Sequence, residues 1–144
     1  MKKAYLSIAF AFFTFLSFAQ TEVEAIGKTI ETYLNGSSYS DMEQIQEAFY
    51  EEAPLYLSKK DQELWVLTPK EYAELFKNRK SGEHNGRFGK ILNIDISNNI
   101  AMAKAEIRIP ARDMVFIDLF LLKKLSGEWK IISKVATLLP NEKS

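Results

Sequence analysis

The segment from Phe116 to Val135, FIDLFLLKKLSGEWKIISKV, constrains the fold of this chain more than any other. Two long apolar runs flank Ser126-Gly127, a residue pair that favours a tight hairpin turn. A single carboxylate, Asp118, lies within the first run. The pattern therefore predicts two long antiparallel strands, with Asp118 opposite Val135 if the pairing is regular.

Alternation along these strands predicts two apolar faces. One face would carry Phe116, Asp118, Phe120, Leu122, Trp129, Ile131, Ser133 and Val135, and the reverse face Val115, Ile117, Leu119, Leu121, Ile132 and Ala136. Helices can cover only one face of the sheet in a domain of this size, so the other is expected to form a sheet-to-sheet homodimer. Wrapping by the chain's own N- or C-terminal segment is the alternative.

The N-terminus has the features of a cleaved export signal. Lys2 and Lys3 precede an apolar run over residues 4–18, and Ser17-Phe18-Ala19 supplies the small residues of a cleavage site. This run is shorter than the ~20 apolar residues that span a bilayer. We therefore expect a signal peptide over 1–19, a single domain over 20–144, and an exported protein that is periplasmic or extracellular. The chain has no cysteine, so neither a lipid anchor on cysteine nor a disulfide is expected.

Charge and motif content argue against several classes of partner. The 19 basic and 19 acidic residues balance, and loss of Lys2 and Lys3 leaves a net charge of −2, which argues against nucleic acid as a partner. The basic stretch from Lys77 to Lys90, which contains the only histidine, His84, is interpreted as a solvated loop. No metal or phosphate signature is present, so no metal site and no cofactor are predicted. After signal cleavage, no association with a membrane is expected.

Helical periodicity and capping residues place three helices. The first is predicted from Thr21 to Asn35-Gly36, the second from a cap at Ser40, and the third from a Thr68-Pro69-Lys70-Glu71 start to Ser81-Gly82. Short strands are predicted at 55–57 and 64–67.

From residue 91 the apolar period changes to two, which predicts a hairpin of 91–97 and 100–109. The face expected to be dry carries Leu92, Ile94, Ile96, Ala101, Ala103, Ala105 and Ile107.

Residues spread over the chain resemble the nuclear-transport-factor-2-like (SnoaL-like) superfamily, and within it the putative lumazine-binding group of small bacterial proteins. They are Tyr33-Leu34-Asn35-Gly36, Asp41, Phe49, Ala53, Leu55, Glu71-Tyr72, Phe116, Asp118, Leu122, Lys124, Gly127, Trp129, Lys130, Ile131, Lys134 and Val135. The resemblance implies an α+β, cone-shaped fold, three N-terminal helices on a curved antiparallel sheet, a conical cavity and a dimer. Relatives often carry His-Pro after the helix-two Phe, whereas Tyr50-Glu51-Glu52 follows Phe49 here, so no histidine role carries over.

Asp118 is the candidate catalytic residue. Among Phe116, Phe120 and Trp129 its carboxylate would be partly desolvated, which favours the protonated form and suits proton transfer. Ketosteroid isomerases, which share the fold that the resemblance implies, use an aspartate in this way. The alternative is a structural Asp118 that hydrogen-bonds Ser133, Thr137, a tyrosine or a backbone amide and orders the core.

Aromatic residues from several elements would line the cone around a small apolar or aromatic ligand, although the same residues suit an ordinary core. The candidate ligand-binding residues are Tyr33, Phe49, Tyr56, Trp65, Tyr72, Phe76, Phe116, Phe120 and Ser133. Three functions stay open: a non-catalytic binding domain, an isomerase- or dehydratase-like enzyme using Asp118, and a dimeric interaction module without a ligand. The fold hosts all three, so fold alone does not decide.

Overall fold

The computed structural model describes residues 2–140, with side chains from residue 20 onward; the predicted signal peptide, 1–19, lies outside the described side chains. The elements in chain order are α1 (Lys2–Tyr39), α2 (Met42–Glu47), β1 (Leu55–Lys59), β2 (Gln62–Leu67), α3 (Pro69–Glu74), β3 (Phe88–Ser97), β4 (Ile100–Ile109), a 3₁₀ turn (Pro110–Arg112), β5 (Met114–Leu125) and β6 (Glu128–Leu138). No helix in this part of the chain is long and apolar enough to cross a bilayer.

The six strands form one sheet in the order β2-β1-β6-β5-β4-β3. The predicted α+β class is confirmed, but the sheet is mixed, because β1 runs parallel to β6 with Leu55 beside Lys134 and Tyr56 beside Val135. This parallel pair arises because β6, the last strand of the chain, lies between β5 and β1 in the sheet. Only α1 and α2 precede the first strand, and α3 follows β2, so the helices are not all N-terminal to the sheet.

The first helix differs from its predicted bounds at both ends. It runs through Thr21 and continues past Asn35-Gly36 to Tyr39. Gly36 is buried where α1 meets α2, and a Cβ added there would come 2.8 Å from the backbone nitrogen of Ile45. Glycine at this position therefore permits close helix packing rather than ending the helix.

The cap of α2 is one residue later than predicted. Ser40 adopts a left-handed conformation with φ of 55°, and Asp41 becomes the N-cap. The Asp41 Oδ1 accepts from the backbone N–H groups of Glu43 and Gln44, both at 3.1 Å. Two of the free N–H groups of the first turn are satisfied in this way.

The predicted start of α3 is confirmed, and its predicted end is wrong. Thr68 and Glu71 form the full capping box, with Pro69 in the first turn. The α-helix stops at Glu74 instead of reaching Ser81, because the following hydrogen bonds tighten to three-residue spacing, as in Phe76 N–H to Ala73 C=O at 3.0 Å.

A β-bulge changes one face of the β3–β4 hairpin. Ile91 pairs with Ala105 and Asn93 with Lys104, which leaves Leu92 as the extra residue. Leu92 is consequently exposed, and its predicted position on the buried face of the hairpin is wrong. The predicted inward residues of β4 are buried: Ala101, Ala103, Ala105 and Ile107.

A second bulge, at Ile132, decides which residues of β6 point inward. Leu122 pairs with Ile131 and Leu121 with Ser133, so the register shifts by one residue beyond the bulge. Asp118 therefore lies opposite Ala136, and the predicted pairing with Val135 is wrong. Lys134 is buried with Asp118, whereas Val135 is exposed.

The faces predicted for β6 are corrected by the same shift. Beyond Ile132, Lys134 and Ala136 take the inner face, and Ser133 and Val135 take the outer one, the reverse of simple alternation.

The predicted turn between β5 and β6 is confirmed. Leu125 pairs with Glu128, and Ser126 and Gly127 have φ of 50° and 87°, as a type I′ turn requires.

Helix α1 is fastened across the sheet by Glu22. Its carboxylate accepts from Lys124 Nζ at 2.6 Å and from Trp129 Nε1 at 2.8 Å. These two hydrogen bonds, with that to Lys124 the stronger, lower the pKa of Glu22. The buried faces of α1, the sheet and α3 then close over one apolar core that includes Ile26, Ile30, Ile45, Leu55, Ile107, Phe120 and Ile131.

The two glycines of α1 offer a matched test of helix packing. Gly36→Ala places a methyl group against the α2 backbone, and such overpacking costs about 1–3 kcal/mol. Gly27→Ala meets only Ile94 Cδ1 at 3.8 Å and should gain about 0.5–1 kcal/mol of helix stability. Thermal unfolding should therefore show a lower Tm for Gly36→Ala than for Gly27→Ala. Equal Tm values would mean that α1 and α2 do not touch at Gly36.

Candidate functional site

A cleft of about 150 Å³ opens between α3, β1, the start of β3 and the inner faces of β5 and β6. It is lined by Leu57, Ser58, Tyr72, Arg87, Phe116, Lys134, Ala136 and Leu138. Apolar walls with a few polar groups, here those of Ser58, Tyr72, Arg87 and Lys134, are the usual make-up of a small-molecule site. The cleft is small, since sites for drug-sized ligands hold about 300–1,000 Å³.

Behind the cleft lies a buried ion pair. Lys134 Nζ donates to Asp118 Oδ2 at 2.8 Å, and both residues are only 2 % exposed. The ammonium also lies over two aromatic rings, 5.4 Å from the centroid of Tyr33 and 5.1 Å from that of Tyr72. Lys134 lines the cleft and Asp118 does not, so the lysine separates the carboxylate from an entering molecule.

Two tyrosines connect the cleft to Asp118. Tyr33 Oη donates to Asp118 Oδ2 at 3.0 Å, and the Tyr33 and Tyr72 hydroxyls lie 3.1 Å apart. A phenol has one proton, so Tyr72 must donate to Tyr33 while Tyr33 donates to the carboxylate. Burial, followed by the charges of Asp118 and Tyr72, raises the pKa of Tyr33 well above its ordinary value. Tyr33 therefore stays protonated and holds this chain of hydrogen bonds in one direction.

Arg87 forms the opposite wall of the cleft. Its guanidinium carbon lies 5.8 Å from the Phe76 ring centroid. Burial acts to lower the pKa of Arg87, but the nearby Tyr72, Tyr33 and Asp118 act the other way, and the net shift is upward. The side chain is therefore a fixed positive charge at the cleft.

The loop before β3 is held so that Arg87 points at the cleft. Asn85 Nδ2 donates to the Ser37 carbonyl at 2.7 Å and to Ser40 Oγ at 2.9 Å. Its Oδ1 accepts from the backbone N–H of Arg87 at 3.2 Å. The predicted loop over 77–90 ends at Arg87, because β3 begins at Phe88, and within the loop His84 is exposed as expected. For Arg87 the solvated interpretation is wrong, because Asn85 ties the chain to the end of α1 and the side chain packs inward.

Most of the predicted aromatic set meets around one ring. Tyr33 contacts Phe49 and Phe120 at centroid distances of 5.5 Å each and Tyr72 at 6.1 Å, and Tyr72 contacts Phe76 at 5.6 Å. Only Tyr72 of these lines the cleft; the others are buried core residues. Phe116 forms part of the cleft wall, as its inward position on β5 predicted.

Three predicted site residues lie elsewhere. Tyr56 and Ser133 face an apolar groove on the outer face of the sheet, because the Ile132 bulge turns Ser133 away from Asp118. Ser133 Oγ donates to the Pro54 carbonyl at 3.4 Å. Trp65 packs at the edge of the core on β2 under Lys59, whose Nζ is 4.4 Å from the ring centroid, and it is not a cleft residue.

Two residues of the site, Lys134 and Arg87, were not predicted. Strict alternation places Lys134 on the outer face, and nothing in its local sequence marks the bulge. Arg87 lies among glycines and other basic residues that favour a solvated loop. The chemical signal for Lys134 was Asp118 itself, since a buried carboxylate normally has a cationic or hydrogen-bonding partner. Among residues 20–140, no three histidine or acidic side chains come together as a metal site would require.

Residues 21–136 match the family described as "Putative lumazine-binding". The chain belongs to this family. Its fold resembles that of an NTF2-like protein of unknown function from Shewanella baltica, with 23% identity, a TM-score of 0.73, and coverage of 83% of this chain and 95% of that one. The predicted nuclear-transport-factor-2-like resemblance is confirmed. No curated protein matches the chain significantly.

Two further solved structures share the fold. An NTF2-like protein of unknown function from Methylobacillus flagellatus is 28% identical, with a TM-score of 0.68 and coverage of 83% and 94% of the two chains. A ketosteroid isomerase-like protein from Erwinia carotovora atroseptica is 16% identical, with a TM-score of 0.62 and coverage of 83% and 97%. The latter likeness, at such low identity, concerns the fold alone.

The ion pair can be tested by a double-mutant cycle. Lys134→Met leaves the Asp118 charge without its ammonium partner and should lower the free energy of unfolding by about 3–5 kcal/mol. Asp118→Leu leaves the Lys134 charge unpaired and should lower it by a similar amount. The double variant removes both charges and should lose clearly less than the sum of the single variants. Urea unfolding measures all three.

Lys130→Met is the matched control for this cycle. Lys130 lies on the same strand, but its ion-pair partner Glu128 is exposed and 3.9 Å away, and its 2.8 Å hydrogen bond to the Glu47 carbonyl is also exposed. The loss should therefore stay within about 1 kcal/mol. A Lys134→Met variant no less stable than Lys130→Met, or strictly additive losses, would show that the two buried charges do not depend on each other.

Proposed function

We propose that this protein is an exported, non-catalytic binding protein for a small, largely apolar or aromatic molecule. The observation that carries the proposal is the cleft itself, in which the polar ends of Tyr72, Arg87 and Lys134 converge between apolar walls. Family membership supports ligand binding. Export is supported by the positive, apolar and small-residue order of residues 1–19.

The state of Asp118 supports binding rather than catalysis. A general base needs a carboxylate that can reach the substrate proton, within about 3.2 Å or through one water. Asp118 lies behind Lys134, and its Oδ2 already accepts from two donors.

An enzyme that uses Asp118 is the second candidate. The Tyr72–Tyr33–Asp118 hydrogen bonds form a continuous route from the cleft to the carboxylate, so a proton could pass between them without Asp118 touching the substrate. This arrangement suits the isomerase- or dehydratase-like alternative and keeps it testable.

The binding function predicts a thermal shift with a cleft-dependent ligand. Protein from the full-length coding sequence, with intact mass checked for cleavage after Ala19, is screened against aromatic and heterocyclic metabolites including lumazines, flavins and steroids. A ligand at 100 times its Kd adds about 2.7 kcal/mol and raises Tm by several degrees. Ala136→Phe should abolish this shift by filling the cleft, whereas Thr137→Phe, the next residue on the same strand and exposed, should preserve it.

Three outcomes separate the candidate functions. A hit unaffected by Ala136→Phe would place binding outside the cleft. A ligand that is chemically converted by the wild type but not by Asp118→Asn would establish the enzyme instead, while a binder should keep much of its affinity in that variant. A screen without any hit would favour the interaction module, which needs only the outer sheet face.

We also infer that the protein forms a homodimer through the outer sheet face. Four exposed apolar side chains from three neighbouring strands lie there: Met102 at 53 %, Leu119 at 48 %, Leu121 at 52 % and Val135 at 45 %. No described part of the chain covers them. A contiguous apolar face of this kind is unusual on a monomer and typical of an interface.

Charge placed on this face should separate the subunits. Leu119→Lys with Leu121→Lys should give a monomer by size-exclusion chromatography with light scattering, because two like-charged faces would have to be desolvated together. Leu64→Lys, at an exposed position on the edge strand β2, should leave the dimer intact. A wild-type monomer at micromolar concentration would contradict the inference.

A further inference from the structure

Arg87 is the charged group at the cleft that lacks an ionic partner within residues 20–140. The ion pairs of this region do not include it. Its Nε atom is buried and has no acceptor among the described groups. A buried polar donor left without an acceptor is costly, and more so when it is charged. An acceptor brought by a ligand would satisfy this Nε–H group.

The acidic group nearest the cleft is already engaged. Asp118 Oδ2 accepts from both Lys134 and Tyr33, so its charge is matched by the lysine. The net charge around the cleft is +1, because two cations, Arg87 and Lys134, face one anion, Asp118. This count matches one negative charge on a ligand.

We propose that the cleft binds the carboxylate end of a small organic acid, with the Arg87 guanidinium as its charge partner and Lys134 as a second donor. This inference rests on the proposed binding function and adds the charge of the ligand. Planar guanidinium groups match carboxylates in geometry. Lys134 donates one of its three N–H groups to Asp118 and retains others.

The remaining walls of the cleft define the rest of the ligand. Leu57, Phe116 and Leu138 are apolar, so the body attached to the carboxylate should be apolar or aromatic. A volume of about 150 Å³ suits an acid with a short body. Inorganic phosphate, which carries more than one negative charge near neutral pH, exceeds the single net positive charge and has no apolar part for these walls.

Matched neutral and anionic probes test this assignment. The ¹⁵N-labelled protein, produced from the full-length coding sequence, is titrated at constant ionic strength with benzoate, benzamide, acetate and inorganic phosphate. The Nε–H signal of Arg87, identified by its loss in Arg87→Lys, reports directly on the guanidinium. Benzoate should shift this signal and bind at least about tenfold more tightly than benzamide, because only the acid offers a charged acceptor.

A matched arginine provides the control variant. Arg79 also lies over the Phe76 ring, at 5.6 Å, but it is exposed and outside the cleft. Arg87→Gln should weaken benzoate binding by about tenfold or more and leave benzamide unchanged, whereas Arg79→Gln should change neither.

The outcomes distinguish this inference from the function on which it rests. If benzamide binds as tightly as benzoate, or phosphate more tightly, small-molecule binding stands and the assignment of a carboxylate is wrong. If all four probes leave the Arg87 signal unmoved while the wider screen yields a cleft-dependent ligand, the assignment is again wrong. If the wider screen is also empty, both proposals fall together.

Discussion

The buried ion pair between Lys134 and Asp118 is the interaction on which the rest of the structure depends. Moving an ionised side chain into a protein interior costs several kcal/mol even after the surroundings relax, so each charge requires the other. Tyr33 adds a hydrogen bond to the carboxylate and a ring face to the ammonium. Because these groups come from β5, β6 and α1, satisfying them fixes the register of the hairpin and the position of the helix together.

The elements that could be predicted are those whose signals are local. The turn at Ser126-Gly127, the capping box of Thr68 and Glu71, and the period-two pattern of β4 each depend on a few neighbouring residues, and the structure has all three. The helix ends were less predictable, because Gly36 has two uses. The Asn35-Gly36 pair is typical of a helix end. In the structure, however, Gly36 lies inside α1 and allows the α2 backbone to approach closely.

The site was only partly predictable because bulges are set by tertiary contacts. Asp118 and Tyr72 were proposed from their types and positions; Tyr72 lines the candidate cleft, and Asp118 lies behind it. Ser133 and Val135 were placed on the wrong face since an extra residue in β6 reverses every side chain after it. A register search that demanded a cation on the inner face, within reach of the buried carboxylate, would have turned Lys134 inward. Arg87 needed knowledge of the Asn85 contacts with α1, which no local pattern contains.

The bulge at Ile132 has consequences on both faces of the sheet. It turns Lys134 inward, where the lysine neutralises Asp118 and leaves Arg87 as the uncompensated charge of the cleft. It also turns Ser133 and Val135 outward, where Val135 joins Leu119 in the exposed apolar face. With regular pairing, Val135 would meet Asp118 inside and Lys134 would lie among the outer apolar residues, so the core would hold an unpaired carboxylate and the outer face a charge. One inserted residue thus separates a charged inner cleft from an apolar outer surface.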